Sequence, residues 1–123
     1  MIHLDTNYLI ALATLTTPEG KRAERWLQEG EKLCVSAVVW TEFLSSTATS
    51  NQIRLVEALV HRVVPFGQTE ATLAAALYNF AGRKRHNRLD CMIAATAITA
   101  KADLATLNLK DFSAFKLRGL LLV

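Results

Sequence analysis

The sequence contains few residues that break regular structure, and it has no long apolar segment. Only 2 prolines and 5 glycines occur among its 123 residues, without any low-complexity tract, repeat or linker-like stretch. Its apolar runs are far shorter than the roughly 20 residues that a membrane helix needs, and its N-terminus lacks the basic region and apolar block of a signal peptide. We therefore expect one folded domain over residues 1–123 that does not associate with a membrane.

Cysteine is also scarce, which excludes some kinds of site. The two cysteines, Cys34 and Cys91, lie in apolar surroundings without the spacing of metal ligands, so they indicate reduced core thiols in a cytoplasmic protein rather than a zinc site. Hydrophobic residues make up 51% of the chain and charged residues 20%, a composition typical of globular proteins. The net charge of +3 mildly favours an anionic partner such as nucleic acid.

Short apolar runs alternate with segments of helical periodicity along the whole chain. This alternation predicts βαβ units and a parallel sheet, that is, an α/β fold. The predicted strands cover residues 2–5, 33–37, 63–66, 104–106 and 120–123. The predicted helices cover about 7–13, 18–30, a segment that ends near 49, 51–61, 69–83 and 90–102.

Polar residues cluster where these elements meet. Asp5 ends the first strand, Glu42 lies early in the helix after the second strand, and Asp90 begins an apolar helix that we expect to be buried. Asn108 follows the fourth strand. Because crossover helices begin at the carboxyl ends of parallel strands, all four residues should lie at one edge of the sheet, where α/β proteins bind ligands.

Each position also has a purely structural interpretation. Asp5 and Asp90 are ordinary N-cap residues for the helices that follow them. Glu42 fits a solvated helix face, and Asn108 and Asp111 are common turn residues. The combination is more informative than any single residue, because clustered carboxylates repel one another unless a cation compensates them. Mg²⁺ prefers oxygen ligands and substrate phosphates, so the cluster indicates metal-assisted hydrolysis of a phosphodiester.

Four segments of the chain resemble the motifs of one family, the PIN-domain ribonucleases, and within it the VapC-type toxins of toxin–antitoxin pairs. The order and spacing of the segments and the length of the chain agree with that family. The segments are residues 2–7 (IHLDTN), 36–42 (SAVVWTE), 89–97 (LDCMIAATA) and 105–112 (ATLNLKDF).

The resemblance implies a three-layer α/β/α domain with strand order 3-2-1-4-5, and it implies cleavage of RNA with Mg²⁺ or Mn²⁺. Asp5, Glu42 and Asp90 would hold the metal and, with Asn108, form the catalytic set. The implied partners are the RNA substrate, a cognate antitoxin that places an arginine among the acids, and a second copy of the chain. The apolar residues of helices 51–61 and 69–82 are the candidate dimer surface.

One position departs from the pattern of many relatives, which carry Asp two residues after the threonine of the fourth motif. Asn108 stands there in this chain, and Asp111, further along the turn, is a weaker candidate. An amide can still offer its carbonyl or bind a coordinated water, so we expect a weaker second metal site. Thr6 and Thr106 are candidate hydrogen-bond donors to the acids or to a phosphate; capping of backbone groups is their alternative role.

A basic segment precedes the third acid. Its candidate RNA contacts are Arg83, Lys84, Arg85 and Arg88. The alternative is a solvated helix C-terminus, whose dipole favours cations. We interpret His3 as structural. The spacing of the larger aromatic residues predicts helix core rather than a base-stacking surface; these residues are Trp26, Trp40, Tyr78 and Phe80.

Two other functions compete with the nuclease. The same fold can serve as a catalytically weak RNA-binding or scaffold module; the three acids argue against this function, whereas Asn108 keeps it open. A Mg²⁺-dependent phosphatase of the haloacid dehalogenase type also places an Asp after its first strand. That chemistry requires a second Asp two residues later, where this chain has Asn7, and a downstream lysine that is not evident here.

Overall fold

The fold is built on a five-stranded sheet with the first strand at its centre. The computed structural model describes residues 1–14 and 16–123. The strands pair in the order β3-β2-β1-β4-β5, and every pair is parallel. This order confirms the expected arrangement 3-2-1-4-5. The strands are β1 (Ile2–Leu4), β2 (Leu33–Ser36), β3 (Arg62–Val64), β4 (Asp103–Ala105) and β5 (Leu121–Leu122).

Helices connect the strands and cover the sheet. Parallel crossovers are almost always right-handed. The connections from β1 to β2 and from β2 to β3 run in one direction across the sheet, so their helices cover one face. The connection from β3 to β4 runs in the opposite direction, so its helices cover the other face. The result is three layers. The helices are α1 (Thr6–Leu12), α2 (Pro18–Gln28), α3 (Ala37–Leu44), α4 (Ser50–Leu59), α5 (Gln68–Phe80), α6 (Arg88–Thr99) and α7 (Leu109–Phe112), with short 3₁₀ turns at Arg85–Asn87 and Ser113–Arg118.

The central strands lie in the hydrophobic core. Every residue of β1 and β2 is buried, as expected for parallel strands covered on both faces. Helix α6 is buried over most of its length, which confirms the prediction from its apolar sequence. Cys34 and Cys91 are both buried and free of disulfides, as predicted. None of the helices described is long and apolar enough to cross a membrane.

Several element boundaries differ from the sequence predictions. Helix α3 ends at Leu44 rather than near residue 49, because the hydroxyls of Ser45 and Ser46 donate to backbone carbonyls at the helix end and so compete with further helical bonds. Strand β3 ends at Val64 rather than residue 66, since Pro65 has no N–H for the ladder. The prediction that β3 lies at a sheet edge is confirmed.

Helix α6 begins at Arg88, two residues before the predicted start. Asp90 therefore lies within its first turn, and the interpretation of Asp90 as the N-cap is wrong. The prediction of a core position for Phe80 is also wrong, because this ring is 43% exposed at the end of α5. Trp26 is buried as expected, and Trp40 and Tyr78 are partly buried.

Candidate active site

Asp5 lies at the centre of the carboxyl edge of the sheet. Its backbone N–H donates to the Ala105 carbonyl at 2.9 Å, which extends the pairing of β1 with β4. Its Oδ1 accepts the Thr6 N–H at 2.8 Å and so caps α1. The side chain is only 4% exposed. The capping interpretation is therefore correct for one oxygen, and it leaves the role of the second oxygen to be explained.

The second oxygen of Asp5 is held by the fourth motif. Thr106 donates its hydroxyl to Asp5 Oδ2 at 2.7 Å, and the same hydroxyl accepts the Asn108 N–H at 3.0 Å. Thr106 is buried and Asn108 is exposed. One buried hydroxyl thus fixes both the carboxylate of Asp5 and the loop that carries Asn108.

Thr6 joins Asp5 to Glu42. Its backbone N–H contacts Asp5, and its hydroxyl donates to Glu42 Oε1 at 2.8 Å. Glu42 reaches this position because the side chain of Ser36 caps α3 through the Val39 N–H at 3.0 Å, so that α3 starts directly at the end of β2. Glu42 is partly buried and hydrogen-bonded, unlike a residue on a freely solvated helix face.

Asp90 of α6 is the third acid of the group. It is partly buried in the first turn of α6. Burial and the negative charges of Asp5, Asp111 and Glu42 raise the pKa of Asp90 from its usual 3.8 to about 6. Burial likewise raises the pKa of Asp5, although the hydrogen bonds from Thr106 and Thr6 oppose that shift. The acids therefore influence one another electrostatically, as their positions at the sheet edge predicted.

Asp111 and Asn108 lie at the start of α7. The carbonyl of Asn108 accepts the N–H groups of Asp111 at 3.0 Å and Phe112 at 3.3 Å, which is the behaviour expected of a turn residue. Asp111 is exposed, yet its charge contributes to the raised pKa of Asp90. Asp111 therefore contributes more to the electrostatics of the site than its position late in the turn predicted.

No basic side chain compensates these acids in the part of the chain that the structure describes, where the one ion pair joins the Met1 amino group to Glu31. Across residues 1–14 and 16–123, no group of three or more His, Cys, Asp or Glu side chains is arranged so that it could hold a metal ion. Mg²⁺, however, keeps several waters and commonly takes only one or two protein carboxylates. The all-oxygen set of Asp5, Glu42 and Asp90 fits the donor chemistry of such an ion.

The basic segment lies next to the acids in sequence but has its own organisation. The guanidinium groups of Arg83 and Arg88 lie 5.4 and 5.2 Å from the centroid of the Tyr78 ring. Lys84 and Arg85 are exposed. The role of Tyr78 as an anchor for two arginines was missed in the sequence, because its position in α5 fitted a core stripe equally well.

A family model described as PIN domain matches residues 2–116. No curated protein sequence matches the chain. Among solved structures, a DNA-bound VapBC from Salmonella typhimurium is similar, with a TM-score of 0.75 and 23% identity over 99% of this chain and 96% of that one. VapBC2 from Rickettsia felis, bound to a promoter DNA fragment, has a TM-score of 0.74 and 19% identity over 100% and 98%. A toxin–antitoxin complex from Klebsiella pneumoniae has a TM-score of 0.68 and 26% identity over 92% and 91%.

The matched segment includes all three acids and Asn108. It also includes strands β1 to β4 and the helices that connect them, and it ends before β5. The strand order around β1 is the one that the family resemblance implied. Because the family model covers nearly the whole chain, the protein belongs to the PIN domain family.

Proposed function

We propose that this protein is a metal-dependent endoribonuclease and the toxin of a type II toxin–antitoxin pair. The observation that supports this best is the group of acids at the carboxyl edge of the sheet. Two threonine hydroxyls hold Asp5 and Glu42 in place, and no described cation neutralises the acids. A capping role needs one oxygen of Asp5 only. The remaining carboxylate oxygens are suited to a cation that carries a phosphate with it.

The residues that would hold the ion, directly or through bound water, are Asp5, Asp90 and Glu42. When bound, Mg²⁺ or Mn²⁺ supplies a Lewis acid that activates water and stabilises negative charge on a phosphoryl oxygen. Thr106 keeps the carboxylate of Asp5 in one orientation, and Thr6 sets its separation from Glu42. Asn108 would contribute its side-chain amide to the substrate or to a coordinated water.

The decisive experiment is cleavage of total RNA by the purified protein with Mg²⁺, with Mn²⁺ and with EDTA, in parallel with Asp5→Asn. Asparagine caps helices as well as aspartate does, so this variant removes the charge and keeps the cap. Asp103→Asn is the matched control, because Asp103 begins β4 at the opposite edge of the sheet. We expect metal-dependent cleavage that Asp5→Asn abolishes and Asp103→Asn retains.

Failure of this experiment would also be informative. A folded wild-type protein that binds RNA in the pool but cleaves none of it would support the binding or scaffold module instead. Equal cleavage by the wild type and Asp5→Asn would remove the acids from the mechanism. Mapping the cut ends by sequencing would name the target, and we expect a 5′-phosphate and a 3′-hydroxyl at each cut.

An antitoxin is the second part of the proposal. Solved structures similar to this chain are VapBC assemblies and a toxin–antitoxin complex, and an arginine from a partner would compensate the acids through charge-assisted hydrogen bonds. We expect co-expression with the product of an adjacent short reading frame to give a stable complex without nuclease activity. Asp90→Asn should weaken that complex, because it removes one carboxylate that an arginine would contact.

A homodimer is the third part, with α4 and the end of α5 at Phe80 as its candidate surface. Ile53 and Leu59 of α4 are partly buried, and Phe80 at the end of α5 is exposed. Sedimentation of the wild type and Phe80→Ser tests the assignment. A dimer that Phe80→Ser leaves intact would place the interface elsewhere.

A further inference from the structure

A cavity of about 420 Å³ opens between α5 and α6, and none of the acids lines it. Its apolar lining consists of alanines of α5, Cys91 and Met92 of α6, and Phe66. Arg88 and Cys91 of this lining flank Asp90 in the sequence at the start of α6. Its polar residues are Tyr78, Asn79, Arg83 and Arg88.

The two arginines give the cavity a positive rim. Each guanidinium lies over the Tyr78 ring, and Arg83 also donates a hydrogen bond to the Asn79 side chain. Neither arginine is ion-paired with an acid in the described residues. A guanidinium that lies over an aromatic face still directs its N–H donors outward in its own plane. Arg83 uses one donor on Asn79, so both arginines keep N–H groups that can bind an anion.

Arg83, which lines the same cavity, has an unusual backbone conformation. Its φ is 60°, a left-handed conformation that glycine and asparagine adopt more easily than arginine. Two bonds to Tyr78 hold it there: the Arg83 N–H donates to the Tyr78 carbonyl at 2.9 Å, and the Tyr78 hydroxyl donates to the Arg83 carbonyl at 2.8 Å. An arginine is thus fixed at the rim where a smaller residue would fit the backbone better.

We infer that this cavity binds one unpaired nucleotide of the RNA substrate, with its base in the apolar part and its phosphate on Arg83 and Arg88. The volume lies within the range of about 300–1,000 Å³ typical of small-ligand sites. Proteins read single-stranded RNA by holding splayed bases against aromatic side chains and arginine planes. The inference rests on the proposed function only for the identity of the ligand as RNA.

The apolar lining favours a nucleotide, which carries a base, over a free anion. The acids around Asp90 repel a phosphate, and the two arginines offset that repulsion on the cavity side. An RNA strand that places its scissile phosphate at the acids would therefore place a neighbouring nucleotide over α5 and α6. This pocket would then select the base beside the cut, which the acids themselves cannot do.

Binding is measured separately from cleavage. The probes are the four nucleoside 5′-monophosphates and a short single-stranded RNA, titrated into the Asp5→Asn protein in EDTA and followed by NMR and fluorescence polarisation. Ala75→Phe fills the cavity from an exposed position of α5. Arg83→Asn removes the guanidinium with a residue that accepts the left-handed backbone. Both should weaken binding about 5- to 100-fold, the range for losing a base-stacking or phosphate contact.

The matched control is Lys101→Asn, because Lys101 has a similar left-handed φ of 54° beyond the other end of α6. We expect it to bind like the parent. In the cleavage-competent protein, Ala75→Phe should also change the base preferred beside the cut site.

The possible outcomes separate this inference from the proposed function. If the wild type cleaves RNA but Ala75→Phe and Arg83→Asn alter neither binding nor cut-site preference, the pocket assignment is wrong and the nuclease stands. If nothing is cleaved but both variants lose nucleotide binding, the pocket stands without the nuclease. If Ala75→Phe converts a dimer to a monomer while nucleotide binding is unchanged, the occupant is a second copy of the chain and the inference is overturned.

Discussion

Removing the charge of Asp90 should stabilise the metal-free protein. Its carboxylate is partly buried beside Asp5, Glu42 and Asp111, and these charges together with burial raise its pKa to about 6. A folded-state pKa above the unfolded value of 3.8 means that the folded protein holds the carboxylate less readily in its charged form. At neutral pH, Asp90→Asn removes that unfavourable charge while keeping the shape of the side chain.

The size of the effect follows from the two pKa values. A difference of about 2 corresponds to roughly 3 kcal/mol, and the partial exposure of Asp90 screens this to about 2 kcal/mol. The carboxylate also interacts favourably with the N-terminus of α6, which is worth about 0.3–1 kcal/mol and which the variant loses. The repulsion and burial outweigh that loss, so about 1–1.5 kcal/mol of stabilisation should remain, or roughly 3–5 °C in Tm.

The sign of the pH dependence provides an independent check. In the wild type, the destabilising contribution of Asp90 is complete well above pH 6 and is progressively lost as the pH falls from 6 toward 3.8, because the carboxyl is protonated in both states only below that range. The advantage of Asp90→Asn should therefore shrink from pH 7 to pH 4.

The assay is urea unfolding followed by circular dichroism in EDTA, at several pH values. Asp103→Asn serves as the control at the opposite edge of the sheet, with an expected effect within about 0.5 kcal/mol. If Asp90→Asn is less stable than the wild type at pH 7, or if its advantage does not change with pH, then Asp90 is not repelled by its neighbours and the description of the site is wrong.

The other predictions concern the supporting residues and a buried histidine. Thr106→Val leaves a buried oxygen of Asp5 and the Asn108 N–H without their partner, so it should cost about 1–3 kcal/mol in urea unfolding, whereas Thr106→Ser should cost less than half as much. Asn108→Asp should tighten Mg²⁺ binding in a calorimetric titration; no gain would count against the expected weak second site. His3 is 1% exposed, neither ring nitrogen has a hydrogen-bond partner in the described residues, and burial lowers its pKa to about 4. This pKa lies below the value of 6.5 that His3 has in the unfolded chain. The free energy of unfolding is therefore unaffected by His3 above pH 6.5 and falls by up to about 3 kcal/mol as the pH decreases toward 4. His3→Gln should reduce the loss of unfolding free energy on acidification. An unchanged pH dependence would refute the interpretation that buried His3 causes this loss.

The arrangement of the acids was predictable because it depends on topology. Parallel strands put Asp5, Glu42 and Asp90 at one edge whatever the details of packing, and the family resemblance supplied the strand order that brings β1 beside β4. The hydrogen bond from Thr6 to Glu42 was not predictable, since it depends on the relative placement of two helices 36 residues apart in the chain. The hydrophobic periodicity of α5 predicted which face of the helix points toward the core. It did not predict how much of that face the neighbouring elements cover, so the exposure of Phe80 and the cavity beside Tyr78 were missed.

Stability alone does not explain why the charges are present. Asparagine or serine would cap α1 as well as Asp5 does, and a neutral residue at position 90 would relieve repulsion instead of adding to it. Thr6 and Thr106 nevertheless hold Asp5 in a fixed orientation, and Asp90 adds repulsion beside it. Both features agree with the positively charged ligand that the proposed function requires. Two kinds of cation fit the proposed function, a divalent ion and a partner's arginine, and both would occupy the space between the same carboxylates. The ion and the arginine should therefore exclude each other, and each should stabilise the wild type more than Asp90→Asn, because each removes the repulsion that the variant has already lost.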